Sequence, residues 1–158
     1  MKTTARTLDK ADWRILAALQ KDARVALDTL AEALDMDAAD VCERVRRMEE
    51  AEIIAGYGAT VNPRRAGYPI SALVSLSAKP DASDQIVNDE LAQTPEVVSC
   101  WSVTGSNDFI LEILVPSLEF LEEVLTDLGK FGRLTTSIVL PSSARKKEIH
   151  EPRESMTD

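Results

Sequence analysis

The chain has one histidine, His150, and it lies close to the C-terminal end. No Ser-His-acid or Cys-His set can be built without it, so nucleophilic catalysis is not expected. Two cysteines, Cys42 and Cys100, stand far apart and in no metal-ligand spacing, which excludes a zinc framework and reads as reduced, cytoplasmic thiols. Aromatic residues make up only 4% of the 158 residues, too few for a surface of base-stacking platforms. No glycine-rich loop follows a strand and opens a helix, so a nucleotide-phosphate cradle is missing. No apolar run approaches the ~18 residues a membrane span requires. Met1–Thr7 has no apolar segment behind it, and no secretory signal is expected. Net positive charge is lacking too: the formal charge is −9, and both halves of the chain are acidic. Any nucleic-acid contact must therefore come from a local basic face, with the acids kept elsewhere.

Such a face is present near the amino end. Asp37-Ala38-Ala39-Asp40-Val41-Cys42-Glu43-Arg44-Val45-Arg46-Arg47-Met48-Glu49 has the pattern of a sharply started amphipathic helix. Asp37 is placed to cap it and Asp40 to reach back to the cap's own N–H, with Met36 and Val41 as a hydrophobic staple. Val41, Val45 and Met48 form the apolar stripe, and Arg44, Arg46 and Arg47 are expected on the other side. A helix over Asp28–Leu34 ends just before it. An earlier helix starts at Asp9, with Asp12 completing the cap, a Leu8–Trp13 staple, and Ile15, Leu16 and Leu19 buried. Residues 8–54 thus read as three helices, the last two joined by a tight turn. That arrangement sets a helix in the major groove of double-stranded DNA. Residues 55–62 read as a strand or wing, and Pro63–Gly67 as a hinge.

The pattern changes beyond the hinge. Strands are expected at Ile70–Ala78, Val97–Thr104, Phe109–Val115 and Leu134–Leu140. A helix over 82–93 buries Ile86, Val87 and Leu91. A second, capped by Ser117, carries Leu118, Leu121, Leu125 and Leu128 on one side. The order is βαββαβ, the ferredoxin-like split unit. Residues 141–149 are candidates for an edge strand, and 151–158 read as a disordered polar tail. The domains are therefore 1–62, 63–150 and the tail. A four-stranded sheet with helices on one face leaves the other bare, so a second copy is expected against it, giving a homodimer with the two-fold symmetry that paired half-sites need.

The first half contains Leu8-Asp9-x-x-Asp12-x-x-Ile15-Leu16-x-x-Leu19-Gln20-x-Asp22-x-Arg24, Leu30-Ala31-Glu32, Arg44-Val45-Arg46-Arg47-Met48-Glu49, Ile54-x-Gly56-Tyr57 and Pro63-x-x-x-Gly67. The second half contains Pro95-Glu96-Val97, Thr104-Gly105-x-x-Asp108 and Thr135-Thr136-Ser137-Ile138-Val139-Leu140. With these motifs the chain resembles the Lrp/AsnC (feast/famine) transcription regulators. The resemblance covers roughly residues 8–148. It implies an α+β chain: a winged helix-turn-helix joined to a RAM-type effector domain, dimers that assemble further, often to octamers, and a response to amino acids or related small molecules. It implies no cofactor and no enzyme activity. The related siroheme decarboxylases would need a histidine in the second half, and residues 68–148 have none.

Site residues follow from residues and resemblance together. For DNA they are Arg44, Arg46 and Arg47, which suit guanine or phosphate; Ala38, Ala39 and Cys42, small enough to seat a helix deeply; and Arg24. Intrahelical pairing of Arg44 with Asp40 and of Arg47 with Glu43 is the competing use. For the effector they are Thr104, Gly105, Ser106, Asn107 and Asp108. Turn N–H groups there would hold a carboxylate, Asp108 an ammonium, and Thr135, Thr136 and Ser137 would add hydroxyls from a neighbouring subunit. Three departures from the family pattern stand out. Asp35 and Glu52 occupy positions where glycine is usual, and Asp37 with Asp40 brings acid to the start of the reading helix.

Overall fold

The computed structural model describes residues 8–80, 84–140 and 148–152. The chain divides into two compact units. One comprises residues up to Ala59 together with the C-terminal residues from Ala144, and the other runs from Thr60 to Ser143.

In the first unit, α1 (Lys10–Lys21), α2 (Leu27–Leu34) and α3 (Ala38–Glu50) bury Ile15, Leu19, Leu30, Ala31, Val41, Val45 and Met48 in one core. The α1 start carries the full capping box: Asp12 N–H donates to Asp9 Oδ1 at 2.8 Å, and Asp9 N–H donates to Asp12 Oδ2 at 3.0 Å. Helices α2 and α3 both end on a left-handed residue that is not glycine, Asp35 at φ 53° and Glu52 at φ 55°. Each end has the paired bonds of a Schellman motif. Met36 N–H reaches Ala31 O and Asp35 N–H reaches Glu32 O; Ile53 N–H reaches Met48 O and Glu52 N–H reaches Glu49 O. Arg14, on α1, donates to Leu34 O at 2.7 Å and closes the α2 C-terminus. Residues 55–62 have no ladder partner among the described residues, so the expected strand is an extended, unpaired segment in the single chain. Glu151 and Pro152 are described, with His150 and Glu151 along the side of α1 near Trp13. The rest of the expected tail, and residues 141–147 of the expected edge strand, lie outside the described residues.

The second unit is β1 (Ile70–Ala78), α4 (Asp84–Gln93), β2 (Val97–Ser102), β3 (Phe109–Val115), α5 (Leu118–Leu128) and β4 (Gly132–Ile138). The sheet order is β2-β3-β1-β4 with every neighbouring pair antiparallel. Ala72, Val74 and Leu76 of β1 and Phe109, Leu111, Ile113 and Val115 of β3 point to one face. There they pack with Val87 and Leu91 of α4 and Leu121, Val124 and Leu128 of α5. Two helical positions expected inside lie outside. Ile86, one residue round from Val87, is 60% exposed, and Leu118, in the first turn of α5, is 52% exposed. The opposite face of the sheet has no covering element among the described residues. Leu73 and Trp101 stand exposed on it, beside Ile110 and Leu114.

Candidate nucleic-acid interface and effector loop

Asp37 caps α3 as its sequence suggests, accepting from Ala39 N–H at 2.9 Å and Asp40 N–H at 3.2 Å. The reciprocal arm is absent. Asp40 Oδ2 instead holds Arg44 Nε at 2.9 Å. Arg44 Nη1 also donates to Asp9 Oδ2 at 2.7 Å and to Asp12 Oδ1 at 2.8 Å. A single guanidinium thus grips both members of the α1 capping box and the first turn of its own helix. The Arg44 side chain is only 18% exposed, and that of Asp12 is 6%. Bonds from Asp9, Asp40 and Asp12, in that order, push the Arg44 pKa further above its ordinary value, and the Asp9 carboxyl is held below its ordinary value chiefly by Arg44.

The three arginines therefore do not form one free face. The i,i+4 spacing lays Arg44 beside Asp40, and α3 packing brings it over the α1 N-terminus, where two carboxylates already converge. Arg46 is exposed but engaged. Its Nε and Nη2 meet the two oxygens of Glu43 at 2.9 and 2.6 Å, and Nη1 pairs with Glu50. Glu43 is pulled below its ordinary pKa mainly by that contact. The expected Arg47–Glu43 pair does not form, because Glu43 turns to Arg46. Arg47 is half-buried, makes no ion pair among the described residues, and its buried Nε has no hydrogen-bond partner. Ala39 and Cys42 face outward on the first turns, whereas Ala38 packs partly against the core. Arg24 is exposed in the α1–α2 turn, its N–H held by Asp22 Oδ1. Past α3, Tyr57 donates its hydroxyl to Glu49 Oε1 at 2.8 Å. Partial burial first, then this contact, pushes its pKa up to about 12.

In the second unit, the Thr104–Asp108 loop joins β2 to β3. Gly105 has φ 130°, a region glycine adopts freely. Asp108 fastens the loop to the end of β1: its Oδ2 accepts from Ala78 N–H at 2.8 Å and its N–H donates to Leu76 O at 2.9 Å. One oxygen of the expected ammonium acceptor is therefore already committed. The Ser77 hydroxyl donates toward Ser106 O at 2.9 Å, with Asn107 Oδ1 at 3.2 Å. Thr104, Gly105, Ser106 and Asp108 are exposed, and Asn107 is half-buried. Thr135, Thr136 and Ser137 pair in register with Ser75, Val74 and Leu73. Thr135 and Ser137 thus lie on the open face and Thr136 on the helix side. Thr135 lies opposite Ser75, next to the Leu76 that anchors the loop, while Thr136 and Ser137 lie further along β1. The residue that does pair opposite Ser77 is Arg133, exposed and without an ion pair among the described residues. Sequence reading did not single it out; only strand register places it beside the loop. Gly132, the next residue back, lets β4 approach, since a Cβ there would collide with the Ser77 carbonyl.

A family model described as the AsnC-type helix-turn-helix domain matches residues 8–49, and one described as the Lrp/AsnC ligand binding domain matches residues 71–149. The leucine-responsive regulatory protein of Rhizobium meliloti is 36% identical over 139 residues, covering 84% of this chain and 89% of that protein. The chain belongs to the Lrp/AsnC family. Among solved structures, the feast or famine regulatory protein from M. tuberculosis complexed with L-methionine is 29% identical with a TM-score of 0.85, over 92% of this chain and 100% of that one. A transcriptional regulator from Neisseria meningitidis, solved as an L-Met complex, is 26% identical with a TM-score of 0.80, over 90% of this chain and 96% of that one. This chain is accordingly an Lrp/AsnC-type transcriptional regulator with a helix-turn-helix and a ligand-binding domain, a class of regulators and not of enzymes. Among the described residues no helix is long and apolar enough to cross a membrane.

Proposed function

We propose that this regulator is cytoplasmic and binds double-stranded DNA sequence-specifically as a symmetric homo-oligomer, under control of an amino acid or a related metabolite. The observation that carries the DNA reading is the α2–turn–α3 unit, whose outward side offers Ala39, Cys42 and Arg46, with the half-buried Arg47 beside them. Ala39 and Cys42 admit the helix into the groove, with Ala38 at its edge. Arg46 exchanges its glutamates for phosphate or guanine, and Arg47 and Arg24 add backbone contacts. Arg44 holds the helix in place rather than touching DNA. The uncovered sheet face, with Leu73 and Trp101 exposed at 42% and 48%, receives a second copy, and dimers assemble further toward an octamer. The effector lies where dimers meet. The Thr104–Asp108 loop supplies backbone N–H groups, and Thr135, Thr136 and Ser137 of a neighbouring copy supply hydroxyls. The relatives solved with L-methionine support an amino-acid-like ligand, and its binding shifts operator affinity by linkage.

Gel retardation of the protein's own promoter fragment tests this. The expected result is binding that weakens steeply as salt rises, because phosphate contacts release counterions. Failure to retard that fragment at low salt would overturn the DNA reading.

One observation favours a second reading, a metabolite-sensing oligomer with weakened DNA binding. Glu43 and Glu50 already occupy Arg46, and Asp37 and Asp40 stand at the helix start. Tight operator binding by the unaltered protein would end that alternative.

A further inference from the structure

The uncovered face of the sheet carries two charges of opposite sign that do not meet within one chain. On the four strands this face is aliphatic, aromatic, serine or threonine except at Glu112 in β3 and Arg133 in β4. Glu112 lies opposite Leu73 and is half-buried, with Ile110 and Leu114 on either side of it along the strand. Its Oε2 accepts from the Ser99 hydroxyl at 3.2 Å. Arg133 lies opposite Ser77 and is exposed. Neither makes an ion pair among the described residues. Leu73 and Ser77 are about 13 Å apart along β1, and β3 and β4 stand two strand spacings apart, about 10 Å. The Cα atoms of Glu112 and Arg133 are therefore separated by about 16 Å, and both side chains stand out from the sheet rather than along it.

We infer that these two residues pair between copies of the chain, Glu112 with the partner's Arg133 and Arg133 with the partner's Glu112. The inference rests on the reading above that a second copy covers this face, and it names what fixes the register of the two sheets. A two-fold interface is self-complementary, so one acid and one base at separate points are matched twice over. Apolar contacts around the exposed Leu73 and Trp101 supply attraction without direction. A sheet that slides or turns from the matched position leaves both charges under apolar surface with no partner, which is costly. The balance of one acid and one base also selects the occupant. A nucleic acid or an acidic partner would bring like charge to Glu112, and a purely apolar one would strand both residues, whereas a second copy satisfies both.

Charge exchange in the full chain tests the pair. Sedimentation over a dilution series reads the association, and Trp101 emission in a W13F background reads whether this face is the one covered. The chain is expected to dimerise, with Trp101 emission moving to shorter wavelength as it does. E112R and R133E should each weaken the dimer about tenfold or more, because like charges then meet at two points, with far-ultraviolet circular dichroism unchanged. E112R/R133E should restore most of the loss, since the exchanged charges again face each other across the two-fold axis. An equimolar mixture of E112R and R133E should form mixed dimers in native mass spectrometry in preference to either homodimer. A dimer unmoved by both single exchanges, or one weakened by them and repaired neither by the double exchange nor by mixing, overturns the ion pair while leaving the covered face in place. A chain that never associates, or associates with no change at Trp101, removes the reading of the face and the pair with it.

Discussion

Replacing Arg44 by methionine keeps the aliphatic stem and removes the charge that three carboxylates share. Asp12 is the critical partner, because it is 4% exposed as a residue and its Oδ1 loses its only described cationic donor. Stranding a buried charge costs roughly 3–5 kcal/mol. Asp12 Oδ2 still accepts from Asp9 N–H, which argues for the low end of that range. The Asp9 and Asp40 pairs involve side chains that are 56% and 48% exposed, and such pairs add only about 0.5 kcal/mol each. The expected loss is about 4 kcal/mol, or about 16–32 °C in melting temperature if the head melts alone. Urea denaturation followed by Trp13 fluorescence in a W101F chain measures it. R44M/D12N should recover most of the loss, because no buried charge is then stranded. At a temperature where R44M is folded, operator affinity should fall less than threefold. A loss of stability below about 1 kcal/mol, with operator affinity down tenfold or more, would refute the reasoning and make Arg44 a DNA contact.

The other predictions concern the left-handed helix ends, pH and the acids on α3. Glu52→Gly relieves a left-handed side chain and should stabilise the head by about 0.5–1 kcal/mol in the same urea assay, net of glycine's greater unfolded-state freedom. Asp35→Gly should gain less, because aspartate tolerates this region better. Stability should hold at neutral pH and weaken at both extremes. The folded Asp9 pKa is depressed below 3.8, so its contribution is present above that value and is lost as pH falls through the folded value. The Tyr57 pKa is raised from 10.0 to about 12, so its contribution is full below about pH 10 and disappears as pH climbs through about 12. Urea midpoints measured across pH should show both limbs, with the acid limb diminished in R44M and the alkaline limb in Tyr57→Phe. Finally, E43Q/E50Q should tighten DNA binding at low salt about three- to tenfold by releasing Arg46, with little change in melting temperature.

Most of the fold was legible because hydrophobic period and caps are local signals. The Asp9–Asp12 box, the Val41–Val45–Met48 stripe, the Ser117 cap and the bounds of β1 and β3 all appear where the sequence puts them. The left-handed geometry at Asp35 and Glu52 is the structural counterpart of the glycines usual in the family. Periodicity was less reliable at the margins of a stripe: Ile86 lies about 100° round the helix from Val87, and burial on α5 begins only at Leu121. Partner choice among charges was not legible. Arg44 has an acid four residues away, but the Asp9 and Asp12 contacts span 35 and 32 residues, and only the packing of α3 on α1 creates them. Gln20 was visible as a motif residue, yet its partner is a backbone 129 residues distant, and a backbone carries no sequence signal. Arg133 emerged in the same way, from register alone.

Burial decides what each arginine on α3 is able to give to DNA. Arg44 sits among carboxylates on a side chain 18% exposed, and withdrawing it would strand Asp12; no phosphate contact at the surface offsets a cost of several kcal/mol. Arg46 is 56% exposed and its glutamates are 49% and 60% exposed. Pairs of that kind contribute little to stability and are weakened by salt. A phosphate that releases a counterion competes with them directly. Arg47 makes no ion pair among the described residues and feels Glu43 only through a longer-range attraction, so it has little to give up on meeting a phosphate. An acidic molecule can thus present a reading helix without a net positive head, because its carboxylates are loans at Arg46 and bolts at Arg44. The same reasoning fixes the salt response. Neutralising Glu43 and Glu50 should raise affinity most at low salt and least at high salt, since added ions loosen the internal pairs and the phosphate contacts together. An E43Q/E50Q chain whose advantage grew with salt would show that those glutamates do not compete with phosphate for Arg46.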